Sequence, residues 1–339
     1  MKAGIVETPG VLKLAERDVP KIKNPDDVLV KVKRVGICGS DIHIYHGKNP
    51  FAVYPRVWGH EFTGVVAETG AGVTAVKTGD RIVVEPITYC GKCYACSQGR
   101  PNICVDVNVF GVHRDGGCAE YVVVPEANVH ILPTGLSWDE AALIEPFTIG
   151  AQACYRGGVQ GGDYVLVLGA GTIGLTAASM AKLYGGIVIV ADIVDGKLDY
   201  AKSRGADHVI NSGREDLDAR LNEITGGMGP NVTIDAVCIK KTFEDAVRIT
   251  STAGRIVELS FNETPSEIAP VNIIKKELTI CGSRLQTKRF PVVIDFIKNG
   301  KLPLAGFVSK VFPIDLMAEA FEYTEKNNAS VRKVLISFD

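Results

Sequence analysis

The run "YVLVLGAGTIGLTAASMAKLYGGIVIVAD", Tyr164 to Asp192, constrains the fold more than any other stretch of this 339-residue chain. An apolar strand-like segment leads into Gly169, Gly171 and Gly174, a helix-length segment runs to Gly185 and Gly186, and a second apolar segment ends in Asp192. G-x-G-x-x-G alone is a weak signal. Placed between a strand and a helix, with an acidic residue closing the next strand, it specifies a dinucleotide-binding βαβ unit. Gly169 permits the tight turn, and Gly171 lets the backbone approach a pyrophosphate at the helix N-terminus, which Thr172 and Ile173 open. Gly174 allows close helix–strand packing. Asp192 would accept hydrogen bonds from an adenosine ribose and repel a 2′-phosphate, so NAD is expected over NADP. Tyr164 to Ala181 carries no charge, but its three glycines, with Thr and Ser, suit a buried strand–turn–helix better than a membrane span.

After this run strands and helices keep alternating through "HVIN", "REDLDARLNEITG", "VTIDAV", "FEDAVRITSTAG", "RIVELS" and "LTICGS". Six strands with intervening helices make a doubly wound parallel sheet. Residues up to about 145 read differently. "DDVLVKVKRVG", "EFTGVVAETG", "DRIVVEP" and "AEYVVVP" are short strands punctuated by Gly and Pro. The final stretch, "FPIDLMAEAFEYTEKNNASVRKVLISFD", reads as a helix and a strand that return to this β-rich part. The expected fold class is therefore α/β. Its domains are 1–145, which includes a lobe at 86–105, then 146–285, with 286–339 rejoining the first.

Two cysteine settings carry metal chemistry. Cys90, Cys93, Cys96 and Cys104 follow C-x2-C-x2-C-x7-C, which fits a closed tetrahedral zinc site with no open position. Such spacing also resembles the opening of a ferredoxin pattern, but there the fourth gap is three residues and a proline follows. Zinc is expected. Upstream, "GICGSDIH" and "VWGHEFTG" bring Cys38, His60 and Glu61: one thiolate, one imidazole and one carboxylate. That donor set suits a catalytic zinc with a position left for substrate. Glu145, a carboxylate in the apolar run "LIEPFTIGAQAC", needs a partner if buried, and a metal is a good one. Either Glu61 or Glu145 could ligate directly. Cys118, Cys154, Cys238 and Cys281 are isolated and read as small core residues.

A net charge of −2 leaves no electrostatic footprint for nucleic acid or an anionic membrane. "MKAGIVETPGVLKLAERDV" has charges at Glu7, Lys13 and Glu16 and no apolar core, so it does not read as a signal peptide. A cytoplasmic location is expected, where clustered cysteines bind metal rather than form disulfides.

With "GICGSDIHIYHG", "YPRVWGHEFTGVV", "GDRIVVEP", the four-cysteine lobe, "LIEPFTIG" and "VLVLGAGTIGL" in this order, the chain resembles the zinc-containing medium-chain dehydrogenase/reductases over nearly its whole length. "GHE" and "EP" look like the polyol and threonine dehydrogenase branch, and "GVHRDGGCAEY" and "GSRLQTKRFPVVIDFI" look closest to bacterial sugar-acid dehydrogenases. The resemblance implies a GroES-like β-rich catalytic domain and a Rossmann domain with the active site in the cleft between them. It implies two zinc ions per chain, one catalytic and one structural, and NAD. A homodimer or homotetramer would form through the cofactor sheet near "RIVELS" and "LTICGS". The implied reaction is oxidation of a hexonate such as L-gulonate or L-galactonate at C5. Polyol or L-threonine oxidation is the alternative, and an inactive regulatory or binding protein is the alternative of another class. Ser40 and His43 would relay the proton, Arg284 would face the substrate, and His113, Arg114 and Lys288 are further candidate cations for its carboxylate. Tyr45 and Phe110 would shape the pocket.

Overall fold

The computed structural model describes residues 1–259 and 262–339. The chain forms two compact units, Met1–Glu145 with Ile294–Asp339, and Pro146–Val293. Return to the first unit falls inside the helix Phe290–Lys298.

The first unit is built on one long strand, Asp27–Ile37. Val28, Val30, Val32 and Val35 are fully buried along it. It pairs antiparallel with Glu61–Thr69, Tyr121–Pro125 and Lys333–Ser337, the last bringing a distant part of the chain into the interior of a seven-stranded sheet, between this strand and Val308–Pro313. Register decides what meets at its end: Gly36 lies opposite Glu61, and Ile37 opposite Val334. The residue after Ile37 is Cys38, so Cys38, Glu61 and Lys333 converge by strand pairing alone.

In the second unit, six parallel strands lie in the order His208–Asn211, Ile187–Asp192, Tyr164–Leu168, Val232–Asp235, Arg255–Glu258, Thr279–Gly282. This is the doubly wound order expected from the alternation. Val165, Leu166, Val167, Val188, Ile189 and Val190 have no exposed surface, because a parallel sheet is covered on both faces. "RIVELS" supplies the strand Arg255–Glu258; its Ser260 lies outside the described residues. Among the described residues no helix is long and apolar enough to cross a membrane.

Candidate active site

The helix Gly39–Tyr45 starts at Cys38 and is held there by Asp41, whose Oδ2 accepts from Cys38 N at 2.9 Å. Asp41 is fully buried, and its other oxygen lies 3.5 Å from His60 Nδ1. Neither Asp41 Oδ1 nor His60 Nδ1 completes a hydrogen bond among the described residues. Cys38 Sγ, a His60 ring nitrogen and a Glu61 oxygen lie within 4.8 Å of one another. Burial alone would lower the His60 pKa, but Asp41 and then Cys38 more than offset this and hold it well above the usual imidazole value. Asp41 and Cys38 therefore favour positive charge at this point. A carboxylate behind a histidine is the arrangement that orients an imidazole toward a metal, so these residues fit zinc.

Glu61 is more heavily engaged than its place in the sequence suggests. Lys333 Nζ donates to Glu61 Oε1 at 2.7 Å, to Oε2 at 2.6 Å and to Ile37 O at 3.2 Å. Both side chains are buried, exposed by 2 % and 1 %. Burial works against the charged lysine, yet Glu61 and Cys38 keep its pKa raised, so it stays an ammonium. Gly36 is required beneath this pair, since a Cβ there would run into Glu61 Oε2. Glu145, in the helix Ile144–Arg156, is also buried but stands outside the Cys38–His60–Glu61 cluster. Desolvation pushes its carboxyl up to about 8, with Glu61 and Asp41 adding to the shift and His60 and Lys333 opposing it.

Sequence reasoning assigned no role to Asp41 or Lys333. Asp41 had a readable signal, an acid at the third helical position after Cys38. Lys333 had only its place at the head of the apolar strand Lys333–Ser337. Ser40 is half-buried and His43 exposed on the helix that Cys38 starts. Tyr45 packs edge-on against Phe321 at 5.7 Å.

The four lobe cysteines are together. Sulfur separations are 3.4 Å for Cys90–Cys104, 3.6 Å for Cys93–Cys96 and 3.7 Å for Cys93–Cys104. Tetrahedral zinc at about 2.3 Å from each sulfur sets them about 3.8 Å apart, whereas a disulfide needs about 2 Å. N–H groups of Cys96 and Val105 pull the Cys93 thiol down to about 6, while desolvation and the neighbouring sulfurs push Cys96 up to about 12. Four thiolates this close need a cation, and zinc fits.

Among the candidate substrate contacts, Arg114 donates to Asn108 Oδ1 at 2.6 Å and Thr88 Oγ1 at 3.0 Å and lies over the Phe110 ring. Phe110 is buried near Phe62, so both brace the Ile87–Thr88 and Asn108–Val109 hairpin. His113 Nδ1 accepts from Val109 N at 3.2 Å. In the second unit Arg284 is half-buried, with its pKa lowered by burial, and Lys288 is exposed. Cys118, Cys154 and Cys238 are buried as expected. Cys281 is corrected: it is only half-buried, because its strand, Thr279–Gly282, is a sheet edge with a neighbour on one side.

Gly169 sits at φ +90°, the left-handed region, and a Cβ on Gly174 would run into Gly169 O. Gly171 has open space where its Cβ would be, directly before the helix Thr172–Leu183 that starts with Thr172 and Ile173. Asp192 Oδ2 accepts from Ala170 N at 2.7 Å and Oδ1 from Val194 N at 2.9 Å. The acidic residue is thereby tied to the turn itself, and the loop fits a dinucleotide.

Compared with known proteins, the chain is 42 % identical to starvation-sensing protein RspB of Escherichia coli K12, over 100 % of this chain and 99 % of that protein. The chain belongs to the zinc-containing medium-chain dehydrogenase/reductases. Residues 24–134 of this dehydrogenase match the alcohol dehydrogenase GroES-like domain, and residues 172–299 the zinc-binding dehydrogenase family. It is 36 % identical to L-galactonate-5-dehydrogenase of E. coli K12, over 100 % of this chain and 99 % of that one. The crystal structure of the alcohol dehydrogenase rspB from E. coli CFT073, complexed with NADH, is similar at a TM-score of 0.94 and 42 % identity, covering 100 % of this chain and 99 % of the other. This dehydrogenase is accordingly a zinc- and NAD-dependent enzyme acting on CH–OH groups.

Proposed function

We propose that this dehydrogenase oxidises the C5 hydroxyl of a hexonate, such as L-gulonate or L-galactonate, to the keto acid with reduction of NAD+ to NADH and release of one proton. The observation that carries this reading is the full-length similarity to L-galactonate-5-dehydrogenase, together with both cysteine settings and the glycine loop in this chain.

Cys38, His60 and one carboxylate, Glu61 or Glu145, would hold the catalytic zinc. When bound, zinc supplies Lewis acidity toward the substrate hydroxyl, and NAD+ accepts the hydride. Asp41 keeps the His60 ring in place from behind. Ser40, half-buried two residues beyond Cys38, takes the hydroxyl proton as its own passes to His43, and exposed His43 delivers that proton to water. Gly169, Gly171, Thr172, Ile173 and Gly174 receive the pyrophosphate, and Asp192 the adenosine ribose. Arg284 faces the substrate carboxylate, with His113 and Tyr45 as further contacts. Cys90, Cys93, Cys96 and Cys104 would hold a structural zinc, whose four thiolates leave no open position for substrate. The chain works in the cytoplasm as a homodimer or homotetramer, with Thr279–Gly282 as the sheet edge available to a second copy.

The test is a panel of L-gulonate, L-galactonate, sorbitol, L-iditol and L-threonine with NAD+, on protein of measured zinc content. A hexonate should show the highest kcat/KM. Equal values for uncharged polyols would refute the sugar-acid assignment.

A further inference from the structure

A third cluster, in the second unit, is used by neither of the zinc sets described above. Asp235 and Glu258 close the adjacent parallel strands Val232–Asp235 and Arg255–Glu258 and are partners in the register. Paired positions of neighbouring strands share a face, so their carboxyls stand side by side. The chain then turns back through Cys238, which has a left-handed backbone at φ 55°. Asp235 Oδ1 fixes this turn by accepting from Val237 N at 3.0 Å and Cys238 N at 2.8 Å. As a result Cys238 Sγ, an Asp235 oxygen and a Glu258 oxygen lie within 4.8 Å of one another.

Two polar atoms at this cluster lack a partner. Asp235 has no exposed surface, and its Oδ2 makes no hydrogen bond among the described residues; Glu258 Oε1 is buried in the same condition. Neither carboxyl is ion-paired to a lysine or arginine among the described residues. Burial pushes Glu258 up to about 7, with Asp235 adding to the shift, and burial also raises Asp235. A fully buried acid and a half-buried one facing each other beside a thiol, with no cation among the described residues, are costly to leave as they are.

We propose that Asp235, Cys238 and Glu258 form a further metal site that takes a zinc-class divalent cation through one thiolate and two carboxylate oxygens. A thiolate in the set selects zinc, cobalt or cadmium over magnesium and calcium, which take oxygen ligands. Uptake displaces the Cys238 thiol proton, and any proton held by the carboxyls, to water. Such an ion would also brace the glycine turn, because a Cβ on Gly169 would stand only 2.7 Å from Val237 Cγ2.

The test uses the full chain, stripped with a chelator, refilled with zinc alone and weighed by native mass spectrometry, which reads folding and metal count together. Wild type should hold one zinc more than folded Asp235→Asn or Glu258→Gln. Equal counts overturn the proposal. If the carboxyl variants fail to fold, Cys238→Ser decides: refilled with cobalt, it should lose part of the thiolate-to-cobalt absorption of wild type, and an unchanged spectrum overturns the site.

Discussion

Lys333→Met isolates what the buried ammonium does for Glu61. Methionine keeps the length and the apolar stem but removes three hydrogen bonds, two of them to a carboxylate that is 1 % exposed. Breaking a buried ion pair from one side costs about 3–5 kcal/mol, because the remaining charge is stranded. For a first unit of about 190 residues that is a fall in Tm of about 6–20 °C. The figure applies to metal-free protein; zinc at Cys38 and His60 offers Glu61 another cation, so loaded variant should lose less. Calorimetry on chelator-treated and zinc-refilled samples measures both. Adding Glu61→Gln should recover most of the loss by removing the stranded charge. A metal-free Tm for Lys333→Met within about 2 °C of wild type would refute the pairing argument. A double variant no better than the single one would show that lost packing, not charge, is responsible.

Cys38→Ser should lower kcat by about 100-fold or more while leaving the Tm near wild type, whereas Cys93→Ser should lower the Tm and disturb assembly first; folded, assembled but inactive lobe variants would reverse the two roles. Glu145 carries a folded-state pKa of about 8 against an ordinary 4.5. Between those values the native state holds a proton that the unfolded chain has released, so metal-free stability should fall as pH rises, by up to about 1.4 kcal/mol per unit, and denaturant titrations of Glu145→Gln should lose this slope. Asp192→Ser removes a carboxylate held by Ala170 N and Val194 N, and should cut the NAD+ over NADP+ preference in kcat/KM about tenfold by removing repulsion of the 2′-phosphate; an unchanged ratio would place selectivity elsewhere.

What could be read in the amino-acid order was what is local in it. The glycine turn and the four lobe cysteines each lie within a short stretch, and spacing alone states their geometry. Cys38 and His60 are further apart, and their meeting was legible only because the donor types and the wider resemblance agreed. Lys333 is 272 residues from Glu61, and no spacing rule connects them. Their contact follows from the register of Asp27–Ile37 with two partners, which is a tertiary choice. The same holds for Asp235 and Glu258, which meet because two parallel strands end level with each other. Cys238 read as an ordinary core thiol, since burial was legible but its neighbours were not.

Placing Lys333–Ser337 inside the first sheet, between Asp27–Ile37 and Val308–Pro313, has a consequence for how the protein is made. A chain synthesised from its N-terminus completes residues 146–293 before this strand exists, so the second unit has its six sheet strands while the first still lacks an interior one. Until Lys333 arrives, Glu61 has no ammonium opposite it and Ile37 no strand partner on that side. The Cys38 centre is thus finished only once Lys333, made after the whole of the second unit, has joined the sheet. Cys38, His60 and Glu61 therefore wait for a strand made after the second unit, whereas the lobe at 86–105 has all four thiols in hand before the second unit is begun.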